Sequence, residues 1–279
     1  MKCYKYDLKH YIFENFYKIQ WNQKLKILHQ IIFALNNLHI RGIIHRDFHS
    51  GNILCENEDD IVISDLGISK LITESLDNDH MCYGIIPYIA PEIFQKQNFC
   101  ETLINDSNIE CRSHTKASDI YSFGIIMWEL MAGRRPFWDQ NYDTDLIIKI
   151  CDGIRPPIVT NAPEGFINIM QECWNANPNK RPTASYIFDV IDKIYLNEED
   201  NPTKITKSPE IGPIVTNNPV THYESSVITN TESTSSSQGQ SIFGKRKYRE
   251  NFIDDDKNNK KIKPNESHSY LSNALEFDI

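Results

Sequence analysis

A mainly α fold of the α+β class is predicted by three features of the chain. One long stretch carries apolar residues at three- and four-residue spacing, a second is apolar nearly all round, and strand alternation is confined to one short run. Over residues 23–41, Leu25, Leu28, Ile31, Ile32, Leu35 and Leu38 fall on one helical face, and Gly42 supplies the stop. Ile61-Val62-Ile63 follows the acidic turn Glu56-Asn57-Glu58-Asp59-Asp60 and reads as a short strand. From Asp119 to Met131 the side chains are apolar on almost every face, the pattern of a helix buried at the centre of a domain. Shorter helices are expected near 143–152, 164–175 and 183–196, separated by Pro156-Pro157 and Asn177-Pro178 turns. After about residue 199, Ser, Thr, Asn and Pro replace the periodic apolar positions, as in Ser233-Thr234-Ser235-Ser236-Ser237. Such a segment buries too little surface to offset its chain entropy, so the expected organisation is a folded domain over 1–196 and a disordered tail over 197–279.

Composition narrows the function classes. The 279 residues carry a net charge of -9, and the excess lies in residues 1–199, with 19 Lys and Arg against 27 Asp and Glu. That balance disfavours nonspecific nucleic-acid binding. The seven cysteines form no CxxC pair and stand near no histidine at metal-ligand spacing, which argues against a disulfide framework or a zinc site and for reduced thiols. No apolar run approaches the ~18 residues of a membrane span, and no signal core opens the chain. A soluble, cytoplasmic protein is expected. The tail clusters Lys245-Arg246-Lys247-Tyr248-Arg249 and Lys260-Lys261-Ile262-Lys263 offer a nuclear alternative, although a solvated charged tail is the simpler reading.

The most informative stretch is His45-Arg46-Asp47-Phe48-His49-Ser50-Gly51-Asn52-Ile53-Leu54. An Asp in a tight loop can accept the proton of an attacking hydroxyl, and an Asn five residues on can turn its amide oxygen toward a metal riding on nucleotide phosphates. A second carboxylate, Asp65, follows the predicted strand and precedes Leu66-Gly67. These motifs, with Ala90-Pro91-Glu92, Asp119-Ile120-Tyr121-Ser122-Phe123-Gly124 and Arg181-Pro182 in the same order, resemble the eukaryotic protein kinases. Asp-Ile-Tyr-Ser-Phe-Gly, Trp128-Glu129 and Cys173-Trp174 are most similar to the tyrosine-kinase-like group of Ser/Thr kinases.

The resemblance implies roles. Asp47 would be the catalytic carboxylate, with Asn52 and Asp65 binding Mg²⁺ on the phosphates of ATP and Leu54 forming the floor beneath the adenine. His45 would be structural and tied to Asp119, Arg46 would clamp a phosphate on the activation segment, and Glu92 would pair with Arg181. Ser69, Thr73, Ser75 and Tyr83 are the candidate phosphate acceptors of that segment. Three departures accompany these matches: His49 stands where Ser/Thr kinases usually have a Lys, Ile85 where they usually have a Thr near the catalytic Asp, and Leu66 where Phe is usual. The interval from Glu92 to Asp119 is also long for the family, which predicts a surface insertion near 98–116.

The resemblance covers residues 1–196 and matches a large C-terminal lobe. No glycine precedes Gly42, and Met1 to Leu8 looks like a hinge entering the first helix, so the small N-terminal lobe, with its glycine-rich loop and strand Lys, is expected to be absent. The implied function is ATP-dependent transfer to protein Ser or Thr in intracellular signalling, with little activity in this chain alone. Another polypeptide covering the exposed lobe face is a possible partner. The alternative is a pseudokinase-like scaffold without catalysis. A small-molecule kinase, suggested by the His-x-Asp-x-His-x-x-Asn pattern, ranks lower because such enzymes lack the Ala-Pro-Glu and Asp-Ile-Tyr-Ser-Phe-Gly motifs.

Overall fold

The computed structural model describes residues 3–71, 84–94 and 114–214. All of these lie in one compact unit of the chain; the second unit, Asn230–Asn273, falls outside them. Strand β1 (Tyr6–Asp7) leads into helix α1 (Leu8–Asn15), whose first turn is capped where Asp7 accepts from the His10 backbone N–H at 2.8 Å. Helix α2 (Trp21–Ile40) begins with Gln23 reaching back to the Gln20 N–H at 2.9 Å. Its buried stripe includes Leu25, Leu28, Ile31, Ile32, Leu35 and Leu38, the face expected from spacing alone.

Strand β2 (Ile43–Ile44) then enters the loop over residues 45–52, and β3 (Ile53–Asn57) and β4 (Asp60–Ile63) form an antiparallel hairpin beyond it. The sheet order is β1-β3-β4, with Leu54 set opposite Val62 on one side and Asp7 on the other. A separate pair joins β2 to β5 (Lys70–Leu71), with Ile43 opposite Leu71. The two pairings hold both ends of the residue 64–69 loop, which carries Asp65. The short helix α3 (Pro91–Phe94) is buried at every residue.

Helix α4 (Lys116–Ala132) is buried continuously from Ser118 to Ala132 and stands at the centre of the core, as its all-round apolar sequence predicts. It ends at Gly133, whose φ of 70° is left-handed; a Cβ there would also lie 2.5 Å from the Phe16 ring, so both backbone and packing require glycine. Helices α5 (Thr144–Cys151), α6 (Phe166–Cys173) and α7 (Ala184–Asp200) complete the lobe, with α7 packed along α2 and α6 against α4. The result is mainly helical with few strands.

One boundary differs from expectation. The division placed between 196 and 197 falls inside α7, and the chain beyond it is folded against the lobe as far as residue 214. Ile211 is 2% exposed, the Gly212 N–H donates to Ala132 O at 2.7 Å, and Arg134 Nε donates to Gly212 O at 2.9 Å. Tyr17 donates its hydroxyl to Ile211 O, and Asn161 holds Lys204 O and the Thr206 N–H. Residues 201–214 hold their place mainly through backbone polar groups, so periodic apolar spacing gave no sign of them. The rest of the expected tail, its basic clusters and most of the expected insertion lie outside the described residues.

Candidate active site

The site is built upward from Asp119, near the start of α4. Its carboxylate is 1% exposed; Oδ2 accepts from His45 N and lies 2.9 Å from His39 Nε2, while Oδ1 accepts from Arg46 N at 3.1 Å. These bonds hold Arg46 at φ 74°, a left-handed conformation that costs a non-glycine residue of order 1–3 kcal/mol. Asp119 thereby sets the angle at which the loop turns into Asp47. His45 is fully buried, its Nε2 is 3.1 Å from Ser64 O and its Nδ1 faces the Asp47 N–H at 3.4 Å, so both ring nitrogens are engaged within the loop framework.

Asp47 is the next residue out. Its carbonyl accepts from Asn52 Nδ2 at 2.8 Å, which leaves the Asn52 amide oxygen as the group available to a cation. Asn52 O in turn accepts from the Ser64 backbone N–H at 2.8 Å and its hydroxyl at 2.9 Å, tying the strand exit to the loop. One residue further, Asp65 is exposed at φ 56°, with Oδ1 accepting from Gly67 N at 3.3 Å. Asp47 Oδ1 is buried and has no hydrogen-bond partner among the described residues. A cavity of about 10 Å³, room for about one water, adjoins it between the loop and residues 84–90.

The remaining expected residues are spread around this centre. Leu54 is half-buried on β3, and the Arg46 guanidinium donates to Ile68 O at 3.3 Å. Ser69 donates its hydroxyl to Leu66 O at 2.8 Å; Thr73, Ser75 and Tyr83 lie outside the described residues. Glu92 and Arg181 form a two-armed buried pair at 2.7 Å on each arm, and Arg181 also donates to Asn175 O and Ala117 O. The pair joins α3 to the turn before α7.

Three features were not anticipated from sequence. His49 lies beside Asp47, with Nε2 3.5 Å from Oδ1, and burial holds its imidazole pKa below the ordinary value. Gly84, at φ 117°, passes so close that a Cβ would lie 3.2 Å from Asp47 Oδ1. Behind both, Ser50 and Tyr88 share a hydroxyl contact at 3.3 Å beside the buried Glu129, and Ser122 donates to Tyr88 O at 2.7 Å. The signal for the last was a glutamate within an otherwise apolar helix.

For a metal, the donor set is one amide oxygen and one carboxylate, both hard ligands of the kind Mg²⁺ takes alongside phosphate and water. No cluster of three or more His, Cys, Asp or Glu suited to a metal occurs among the described residues. Asn52 and Asp65 could hold such an ion only together with phosphate or water ligands, since two protein oxygens leave most of its coordination sites open. Bound there, Mg²⁺ would neutralise charge on a transferring phosphoryl group.

A loop presenting a carboxylate and an amide over a buried helix, with a second carboxylate after a hairpin, is an arrangement of the protein-kinase type. Residues 2–191 match the protein tyrosine and serine/threonine kinase family, and the chain belongs to it. Similar proteins include a "probable serine/threonine-protein kinase" of Dictyostelium discoideum, 28% identical over 72% of this chain and 11% of that protein. The mouse ankyrin repeat and protein kinase domain-containing protein 1 is 31% identical over 58% of this chain and 22% of its own length. Chicken ephrin type-A receptor 7 is 30% identical over 70% and 19% respectively. The chain therefore spans about a tenth to a fifth of the length of these relatives. Among the described residues no helix is long and apolar enough to cross a membrane.

Proposed function

We propose that this chain carries the catalytic and metal-binding half of an ATP-dependent protein kinase site acting on Ser or Thr in intracellular signalling, in the cytoplasm. The observation that carries the reading is Asn52. Its amide nitrogen is committed to the Asp47 carbonyl, so a hard oxygen donor stands beside the loop carboxylate. Asp47 would orient the substrate hydroxyl and take its proton as its oxygen bonds to the γ-phosphorus and the bond from that phosphorus to the departing ADP breaks, while Asn52 and Asp65 would hold Mg²⁺ on the nucleotide. Leu54 would support the adenine. Arg46, with its guanidinium near Ile68 O, would receive a phosphate on the neighbouring segment. Ser/Thr preference is supported by the names of several relatives and by the absence of the Arg residues that tyrosine kinases carry after the loop Asp.

Assayed as these 279 residues alone, transfer should be very slow. Each missing preorganised donor to developing charge costs about 10² to 10³ in rate, and no glycine precedes Gly42 in this sequence to form a glycine-rich loop over the phosphates. The test expresses the reading frame with any upstream coding sequence and follows Mg²⁺-dependent transfer from ATP to a protein substrate. Phosphoserine or phosphothreonine should form, and Asp47→Asn and Asp65→Ala should each abolish it with circular dichroism unchanged. Phosphotyrosine alone would refute the Ser/Thr assignment; transfer indifferent to both substitutions would refute the site.

A further inference from the structure

We propose that His49 is the positioning residue for Asp47, its Nε2–H supplying the hydrogen bond that the segment across from the carboxylate does not provide. The proposal rests on Asp47 being the transfer carboxylate. Asp47 Oδ1 is buried without a hydrogen-bond partner among the described residues, and the donor facing it is His49 Nε2, 3.5 Å away. The chain also comes close at Gly84, but the next residue is Ile85, whose side chain has nothing to donate. A carboxylate left this way can rotate away from a substrate hydroxyl.

The imidazole is prepared for the task. Gly51 N–H donates to His49 Nδ1 at 3.0 Å, so a neutral ring carries its proton on Nε2, the nitrogen 3.5 Å from Asp47 Oδ1. The ring is 7% exposed. It is confined by Tyr88, with centroids 5.8 Å apart, and by Gly51, where a Cβ would lie 2.9 Å from the ring. At 3.5 Å the contact is longer than a good N–H···O bond, and catalytic hydrogen bonds of this kind tighten when substrate arrives. His49, one departure from the family pattern, thus offers a neutral donor to an oxygen that the side chain of Ile85, a second departure, cannot serve.

Two measurements test the proposal. In the full chain labelled with ¹⁵N-histidine, NMR should show His49 as the neutral Nε2–H tautomer. Asp47→Ala should speed solvent exchange of that proton about tenfold, the loss expected for one hydrogen bond to a charged group. Asp47→Asn, which keeps the shape, should give a smaller increase. An Nδ1–H tautomer, or exchange unchanged in both variants, overturns the proposal. In the transfer assay above, His49→Phe should lower kcat about tenfold with KM for Mg–ATP unchanged, and His49→Gln, which keeps an N–H donor, should recover part of the loss. A raised KM with kcat intact overturns it as well. The NMR arm uses no nucleotide, so a protein that shows the tautomer and coupling but transfers nothing would refute the kinase reading and leave the Asp47–His49 contact standing.

Discussion

A single carboxylate beneath the loop does more to shape the site than any residue exposed in it. Asp119 holds the backbone N–H groups of His45 and Arg46 and contacts the His39 ring, and without it three buried polar groups lose a partner. Leaving such groups unsatisfied costs about 1–3 kcal/mol each, and the left-handed turn at Arg46 would lose its restraint. Asp119→Ala should therefore destabilise the protein by about 3–5 kcal/mol in urea titrations. A loss below about 1 kcal/mol would mean that water replaces the carboxylate. At this scale the sequence was legible where a residue's role depends on close neighbours in the chain. The Asp47–Asn52 relation is a spacing of five, visible directly. The Asp47–His49 contact was not visible, because it depends on ring orientation set by Gly51 and Tyr88. Asp119 was recognisable as part of a motif, but its bonds span more than 70 residues.

Among the elements, the Glu92–Arg181 pair couples α3 to the turn before α7. Arg181→Ala would strand a buried carboxylate and cost about 3–5 kcal/mol, whereas Arg181→Met with Glu92→Leu should recover part of that loss. The comparison is made by urea denaturation of both variants, and a double variant no more stable than the single would show that the bonds from Arg181 to Asn175 O and Ala117 O carry most of the effect. Residues 201–214 give a second test. Arg134 donates to the carbonyls of Pro209, Ile211 and Gly212. Arg134→Ala should raise hydrogen exchange at the Gly212 amide about tenfold or more while exchange in α4 changes little. Uniform acceleration through α4 would instead make this segment part of the global fold. The helices themselves were legible because their signals are local: apolar spacing, caps and glycine stops. The 201–214 segment was hidden because backbone carbonyls hold it, and those are the same in every sequence.

For the molecule as a whole, two buried ionisable groups in the core give a definite pH profile. Burial raises Glu129 from 4.5 to about 7, opposed by hydrogen bonds from Tyr88 and Ser50. The folded state then holds a proton that the unfolded state releases, so this contribution is full below pH 4.5 and is lost as pH rises through about 7. Lys24 has the opposite sense. Its ammonium lies over the Phe16 and Trp21 rings at 4.0 and 5.0 Å without a hydrogen-bond partner among the described residues, and burial lowers it from 10.5 to about 7. Here the unfolded state binds the extra proton, so stability rises from about pH 7 toward 10.5. The acid-side and alkaline limbs are worth on the order of 3 and 5 kcal/mol respectively. Relative to wild type, Glu129→Gln should flatten the acid-side fall and Lys24→Met the alkaline rise in urea midpoints measured from pH 5 to 10. Parallel curves for wild type and variants would exclude both groups as the source. The sequence by itself determined the helical class, the order of the kinase motifs and the choice of Asp47, Asn52 and Asp65 as candidates for the site, because these are written in short-range spacing and residue type. Tertiary structure alone decided how Asp119 turns the loop, which core charges lose solvent and that residues 201–214 pack on the helices, because each depends on groups far apart in the chain meeting in space.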